Sequence, residues 1–278
     1  MPIELATQFI GAVDELFATE SKKSLVTNND FSWDGANTIK IYTVSTAGMN
    51  DYGRGGPETG NWSRYGEVEG LDATTQAMTL RKDRSFTFAI DKLDANETKS
   101  ALQAATALAR QVREVVVPEV DTWTFAQMAA GAGIKPAAKA LTVTNIYTEI
   151  IAGSNALDNA EVPETGRQIV ITPDIYLLMK QNTDIIMETD IGNDLRLRGV
   201  IAIVDGMNVI RVPANRMPAK FGFMLAHSIA TVAPVKLEDY KIHQDPPGIS
   251  GSLVEGRINY DAFVLNNKKK AIYYQATT

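Results

Sequence analysis

Residues 55–60, GGPETG, place two glycines at the G-x-x-x-x-G spacing of a phosphate-binding loop. Such a loop holds phosphates on backbone N–H groups, and needs a Lys to reach them and a Ser or Thr for magnesium. Here Asn61 and Trp62 follow Gly60 in those places, and the lead-in Thr46–Asp51 is mostly small and polar where an apolar strand is required. The dinucleotide pattern fails too: Gly53 and Gly55 fit, but Glu58 stands where the third glycine belongs. Hydrolase chemistry fares no better. The only histidines are His227 and His243, and no G-x-S-x-G nucleophile elbow accompanies them. GISGS at 248–252 is a near miss that reads as a turn after Pro246-Pro247. Asp190–Asp194, DIGND, is too short for a calcium loop and lacks its later Glu. Without cysteine there are no thiolate metal sites or thiol nucleophiles. The sequence therefore predicts no enzyme: no catalytic residue, no cofactor and no metal.

What remains is the chemistry of contact. NDYGRGGPETGNWSRYGEVEG, residues 50–70, holds six glycines together with Trp62, Tyr52, Tyr65, Arg54 and Arg64. Aromatics and Arg are the residue types favoured at protein interfaces. Arg54, Trp62, Arg64, Tyr65 and Glu67 are the contact candidates of this stretch. Lys82-Asp83-Arg84 forms a second candidate set, since repeated charges at a symmetric contact set register and partner choice; as solvated strand charges they would contribute little. Lys268–Lys270 reads as a solvated turn, because three lysines are too few for a nucleic-acid face.

These residues need elements to carry them. Thr38–Val44, TIKIYTV, and Arg84–Ile90, RSFTFAI, both alternate as strands do. About forty residues separate them, so the expectation is a long two-stranded arm over 37–92, rooted on these two strands. An isolated hairpin is marginal in water, so the arm must lie on another chain. Residues 3–18 read as a short amphipathic helix, and TNNDFSWDG (27–35) as turn chemistry; together they make an N-terminal arm, 1–36. In LDANE, Asp94 and Glu97 have the spacing of a capping box. The helix that follows carries a stripe of Ala101, Leu102, Ala105, Leu108, Val112 and Val115, is kinked or restarted at Pro118, and ends at Gly131 and Gly133. It would form a rod of roughly 50 Å. Beyond it, Thr144–Leu157 reads as a helix capped by Thr144, Arg167–Thr172 as a buried strand, and Pro173 as the first turn of a helix. Asp205-Gly206 is a hairpin turn. Phe221–Ala226 and Val235–Ile242 are strands, and the last stretch reads as two strands joined by Asn266–Lys270. The class is α+β.

The chain has 278 residues, 45% of them hydrophobic, enough for one large domain or two ordinary ones. Its net charge of −6 argues against a tight grip on nucleic acid. Glu4 stands where a signal peptide would be basic, and no run of about 18 apolar residues occurs. The expectation is a soluble product made in the cytoplasm.

The order of parts resembles a known family. GANTIKIYTVSTAGMNDYGRGG, then GLDATTQAMTLRKDRSFTFAIDKLDANET, then an alanine-rich helix, is similar to the major capsid proteins of tailed bacteriophages, most clearly over residues 28–115. The resemblance implies that fold: an N-terminal arm (1–36), an extended loop (37–92), a peripheral domain with a long spine helix (93–139), an axial domain (140–235) and closing peripheral strands (236–278). It implies a structural subunit of an icosahedral head that assembles with itself into hexamers and pentamers around the viral genome, in the virion after assembly in the host cytoplasm. Further partners would be a portal, weakly held DNA and a separate scaffolding protein, since the residues before the arm are too few for a scaffolding domain. No membrane is involved. A bacterial encapsulin-type nanocompartment shares the fold and is the alternative; a nucleotide-using enzyme or hydrolase is the remote one.

Overall fold

A computed structural model of the chain describes residues 21–28, 30–31, 37–57, 62–97, 103–182 and 203–278. The expected helix at 3–18, the DIGND segment and the stripe residues Ala101 and Leu102 lie outside them. The chain divides into two compact units: residues 35–79, and residues 1–34 with 80–278.

The smaller unit is a β-hairpin. β1 (Thr38–Val44) pairs antiparallel with β2 (Ala73–Thr79), from Thr38 opposite Thr79 to Val44 opposite Ala73. Ser45 and Asp72 extend the ladder by one rung, Ser45 N–H donating to Asp72 O and Asp72 N–H to Ser45 Oγ. This corrects the expected pairing of β1 with RSFTFAI. β2, ATTQAMT, has no run of large β-branched or aromatic residues to announce it.

In the larger unit, β3 (Lys82–Asp91) is instead the edge of a three-stranded antiparallel sheet in the order β3-β10-β9, with β9 spanning Val235–Gln244 and β10 Gly251–Tyr260. The alternation predicted for β3 holds: Phe86, Phe88 and Ile90 face inward. Gly256 lies between its register partners Phe86 and Tyr240, whose rings stack across it at 6.1 Å. A Cβ at Gly256 would come within 2.3 Å of the Phe86 ring.

α1 (Lys92–Glu97) starts earlier than the capping box predicts. Asp91 caps it, Oδ1 accepting from Leu93 N–H at 2.8 Å, so Asp94 falls inside the first turn. From Ala104 to Gly131 the chain is helical without a break: α2 (Ala104–Gln111), a π-turn (Val112–Val116) and α3 (Val117–Gly131). That run is about 42 Å long at 1.5 Å per residue. Pro118 sits in the first turn of α3, and the turn before it widens, Val117 N–H reaching back to Val112 O. A proline removes one i→i−4 bond and crowds that carbonyl; the π-turn accommodates both. It also moves the apolar stripe: Val116 and Val120 are buried with Ile258 and Tyr260, while Ala105 and Val115 are exposed.

A five-stranded sheet in the order β12-β7-β4-β6-β5 holds most of the core. Its strands are β4 (Arg167–Ile171), β5 (Ile203–Val204), β6 (Met207–Arg211), β7 (Phe221–His227) and β12 (Ile272–Ala276). β4 pairs parallel with β6 and antiparallel with β7. It is buried on both faces, as its unbroken apolar run requires. Val170, Met224 and Ile272 pack with Phe125 and Met128 of α3, and Ile169, Ile171 and Phe223 with α4 (Ile146–Asp158) and α5 (Pro173–Gln181). Asp205 and Gly206 both take positive φ in the β5–β6 turn, as predicted. The residue at the N-cap of α4 is Asn145 rather than Thr144, and its side chain turns back from the helix, Oδ1 accepting from Thr142 N–H. The final stretch is not a hairpin: β10 and β12 pair in different sheets, joined through β11 (Phe263–Val264), which pairs with β8 (Thr231–Val232), and a 3₁₀ segment over Asn266–Ala271.

Residues 21–28 of the expected N-terminal arm pack on this chain's own body. Val26 is fully buried, and Asn28 bridges to Val232. The fully buried Asp121 of α3 accepts from Ser21 Oγ (2.7 Å), Lys22 N–H (3.2 Å) and Arg216 Nη1 (3.0 Å).

Candidate functional site

In the smaller unit the chain leaves the ladder at Ser45 and returns at Asp72. The loop folds back on itself where Gly53 N–H donates to Arg64 O at 2.9 Å. Tyr52 and Tyr65 meet edge to face at 5.0 Å between ring centres. Gly66 has φ +90°, and a Cβ there would lie 2.5 Å from Asn50 Cβ; a Cβ on Gly53 would lie 2.2 Å from Gly56 O. A backbone carbonyl at Gly53, and the positive φ with the Asn50 side chain at Gly66, leave room for glycine alone. Gly60 of the phosphate-loop spacing lies outside the described residues.

The candidates of this loop point outward. Trp62 is 84% exposed and Tyr65 77%, and Arg54, Arg64 and Glu67 are exposed without an ion pair among the described residues. Tyr42, Val44, Met49 and Leu71 are exposed as well. Tyr42 and Val44 belong to the outer face of TIKIYTV; the signal was available, because that strand carries apolar residues on both faces.

Lys82, Asp83 and Arg84 belong to the larger unit, and each has a partner there. Lys82 Nζ lies 4.0 Å from the centre of the Trp123 ring. Arg257 donates to Asp83 through Nε (2.9 Å) and Nη2 (2.6 Å), a two-point bond between adjacent strands; this bond holds the Asp83 carboxyl below its ordinary range. Arg84 Nε donates to Glu119 Oε1 at 2.8 Å, and Tyr260 OH donates to the same oxygen at 3.1 Å. Burial first, and the Glu119 charge second, push the Tyr260 phenol well above its ordinary pKa.

Beside them stands a residue the sequence did not mark. Asp261, 1% exposed, accepts from Arg81 through N–H, Nε and Nη2, from Trp123 Nε1 at 2.8 Å and from Ala262 N–H. It fixes the chain at Arg81, just after the smaller unit ends. A lone Asp between Tyr260 and Ala262 carries no motif; only the fold brings Arg81 and Trp123 to it.

His227 is structural. Its Nδ1 accepts from Ile229 N–H, so Nε2 carries the proton and donates to Thr165 O. His243 pairs with Glu255 at 3.2 Å. Among the described residues no cluster of three His, Asp or Glu side chains could hold a metal, and no helix is long and apolar enough to cross a membrane.

No protein-family profile matches the chain, and no curated protein matches it. Solved structures do. The capsid of cyanophage P-SCSP1u superposes with a TM-score of 0.77 at 16% identity, over 99% of this chain and 93% of that one. The mature capsid of bacteriophage PhiM1 gives 0.75 at 13% identity, over 99% and 92%. A structure from Mycobacterium phage Che8 gives 0.71 at 16% identity, over 98% and 96%. The chain has the α+β fold of phage capsid proteins, as the resemblance of its sequence implied.

Proposed function

We propose that this chain is a structural subunit of an icosahedral phage head, assembling with copies of itself into hexamers and pentamers that enclose the genome. One observation carries the reading beyond fold: the smaller unit is a two-stranded hairpin that leaves Tyr42, Val44, Met49, Trp62, Tyr65 and Leu71 in solvent. A two-stranded hairpin is marginal alone, and exposed apolar groups gathered on one element mark a contact surface. In a shell, that surface lies on the next subunit. Arg54, Trp62, Arg64, Tyr65 and Glu67 are then intersubunit contacts. Lys82, Asp83 and Arg84 contribute by exchanging their present partners or by holding β3 in place.

In this reading residues 140–235 form the axial domain, and 93–139 with 236–278 the peripheral domain, the helix over 104–131 being its spine. The role is structural rather than enzymatic, and the protein resides in the virion after assembly in the host cytoplasm. A scaffolding protein and a portal are further partners, and DNA is held weakly, consistent with a net charge of −6. A nanocompartment shell is the less favoured reading, because the full-length likenesses are to phage capsids. Negative-stain microscopy with light scattering on the concentrated protein tests the proposal. Shells, capsomers or tubes are the expected result; a monodisperse monomer, alone and with a co-expressed scaffolding candidate, would refute it.

A further inference from the structure

β9 is an edge strand with no partner on its outer side among the described residues. Asp245 N–H, one residue beyond it, donates to Gly251 O at 2.7 Å. Along an antiparallel strand the main-chain groups turn alternately to either side. The odd positions of β9 therefore bond β10, while the N–H and C=O groups of Glu238, Tyr240 and Ile242 point outward. These groups have no hydrogen-bond partner among the described residues. Neither a proline nor a shift of register interrupts residues 238–244, and such an edge is open to another strand.

The charges on this strand are ordered. On the polar face of the sheet, Asp239 stands across from Arg257 of β10, and Lys241 across from Glu255. Asp239 and Lys241 also bond each other at 2.8 Å, with side chains 43% and 60% exposed. On the other face, Ile242 is 38% exposed beside Tyr240, which stacks on Phe86.

We infer that β9 pairs antiparallel with β9 of a second copy of the chain, across a two-fold axis centred on Tyr240, and joins two three-stranded sheets into one. The inference rests on the proposed self-assembly; a two-fold contact uses the same surface on both copies, so the surface must complement itself. This one does. Asp239 faces Lys241 of the second copy, and Lys241 faces its Asp239. One row across the seam reads Arg257, Asp239, then Lys241 and Glu255 of the second copy, so the signs alternate throughout. Both meetings fall at non-hydrogen-bonded pairs, where side chains approach most closely. Tyr240 exchanges main-chain bonds with Tyr240 of the second copy, and Glu238 with its Ile242. On the other face Ile242 lies diagonal to the second Tyr240 and is covered by it. The neighbouring registers would set Asp239 against Asp239 or Lys241 against Lys241, so charge selects this one.

The test is complementation between two variants. Asp239→Lys and Lys241→Asp each place two like-charge meetings at the seam, and each alone should raise the critical concentration for assembly about tenfold. Mixed in equal amounts, they restore both meetings between unlike chains, and assembly should return. The bond between these residues within one chain is absent from both variants, so it cannot produce that rescue. Thermal midpoints of the separate variants check that each is folded. Because the chain has no cysteine, oxidising assembled mixtures of Asp239→Cys and Lys241→Cys chains should yield a disulfide between unlike chains, since such cross-strand partners lie within its reach. Assembly of both charge variants at the wild-type concentration, a mixture that does not recover, or particles without the disulfide would overturn the inference while leaving self-assembly standing. A wild-type chain that never assembles would instead remove the reading beneath it.

Discussion

Replacing Asp121 by Ala should be among the most damaging single changes in the protein. Asp121 is fully buried and Arg216 is 4% exposed, and they meet at 3.0 Å. Removing one member of such a pair takes the opposite charge from a buried ion, which typically costs about 3–5 kcal/mol. Ser21 Oγ and Lys22 N–H lose their acceptor as well, but they are only partly buried, so water replaces part of that loss. A net cost of about 4 kcal/mol corresponds to roughly a thousandfold change in the folding equilibrium. At roughly 2–4 °C per kcal/mol for a large domain, the thermal midpoint should fall by about 10–15 °C. Urea unfolding of a variant held as free subunits is the assay, with hydrogen exchange at Lys22 reporting whether residues 21–28 detach. The double variant Asp121→Leu with Arg216→Met removes both charges and should recover most of the stability, because an apolar pair of similar size often equals a buried ion pair. A loss below about 1 kcal/mol for Asp121→Ala, or an unchanged exchange rate at Lys22, would refute the view that this pair holds the N-terminal segment.

Other outcomes follow from the same geometry. Trp62→Ala with Tyr65→Ala should abolish assembly while lowering stability by no more than about 1.5 kcal/mol, as expected for exposed side chains of which, among the described residues, Tyr65 alone has a ring partner, Tyr52; a larger loss would mean that both side chains pack within their own chain. Gly256→Ala should cost about 1–3 kcal/mol, since its Cβ would enter the Phe86 ring and press on Tyr240; denaturant midpoints check it. Lys23 lies with its pKa below the ordinary 10.5, chiefly through burial, which the charge of Asp121 opposes. Below that lowered value the folded protein bears the cost of a buried charge, and between it and 10.5 the unfolded chain binds more protons, so this contribution to stability rises with pH. Midpoints followed from neutral pH to above 10.5 should show that rise in the wild type relative to Lys23→Met. Tyr260 has the opposite sign: its raised pKa gives stability that is fully present below the ordinary 10.0 and lost as pH rises toward the folded value. Absorbance titration should therefore show a tyrosine that ionises only as the protein unfolds, and Tyr260→Phe should remove it.

Local chemistry was legible wherever one residue or one short period decided it. Asp205-Gly206 declares its turn because both positions take positive φ. RQIVIT declares a strand covered on both sides, and RSFTFAI one covered on a single side. What the sequence hid was pairing. β1 and β3 look alike as strings, yet β1 joins a weakly marked ATTQAMT nearby while β3 joins β10, far along the chain. Alternation tells which face is apolar and is silent on which edge is met. The π-turn was hidden for a related reason: a stripe read at 3.6 residues per turn passes from Val112 to Val115, and one widened turn moves burial to Val116.

The contact candidates divide along the same line. Trp62 and Tyr65 stood out as large aromatics in a glycine-rich stretch, and they stand in solvent. Lys82, Asp83 and Arg84 were conspicuous as a charge run, yet Trp123, Arg257 and Glu119 already engage them. Asp121, Asp261 and Glu114 showed nothing in sequence, since a lone carboxylate outside any motif resembles any surface acid. Their burial separates them by role. Asp121 and Asp261 are surrounded by donors and hold the body together, whereas Glu114 is buried with an oxygen unmet.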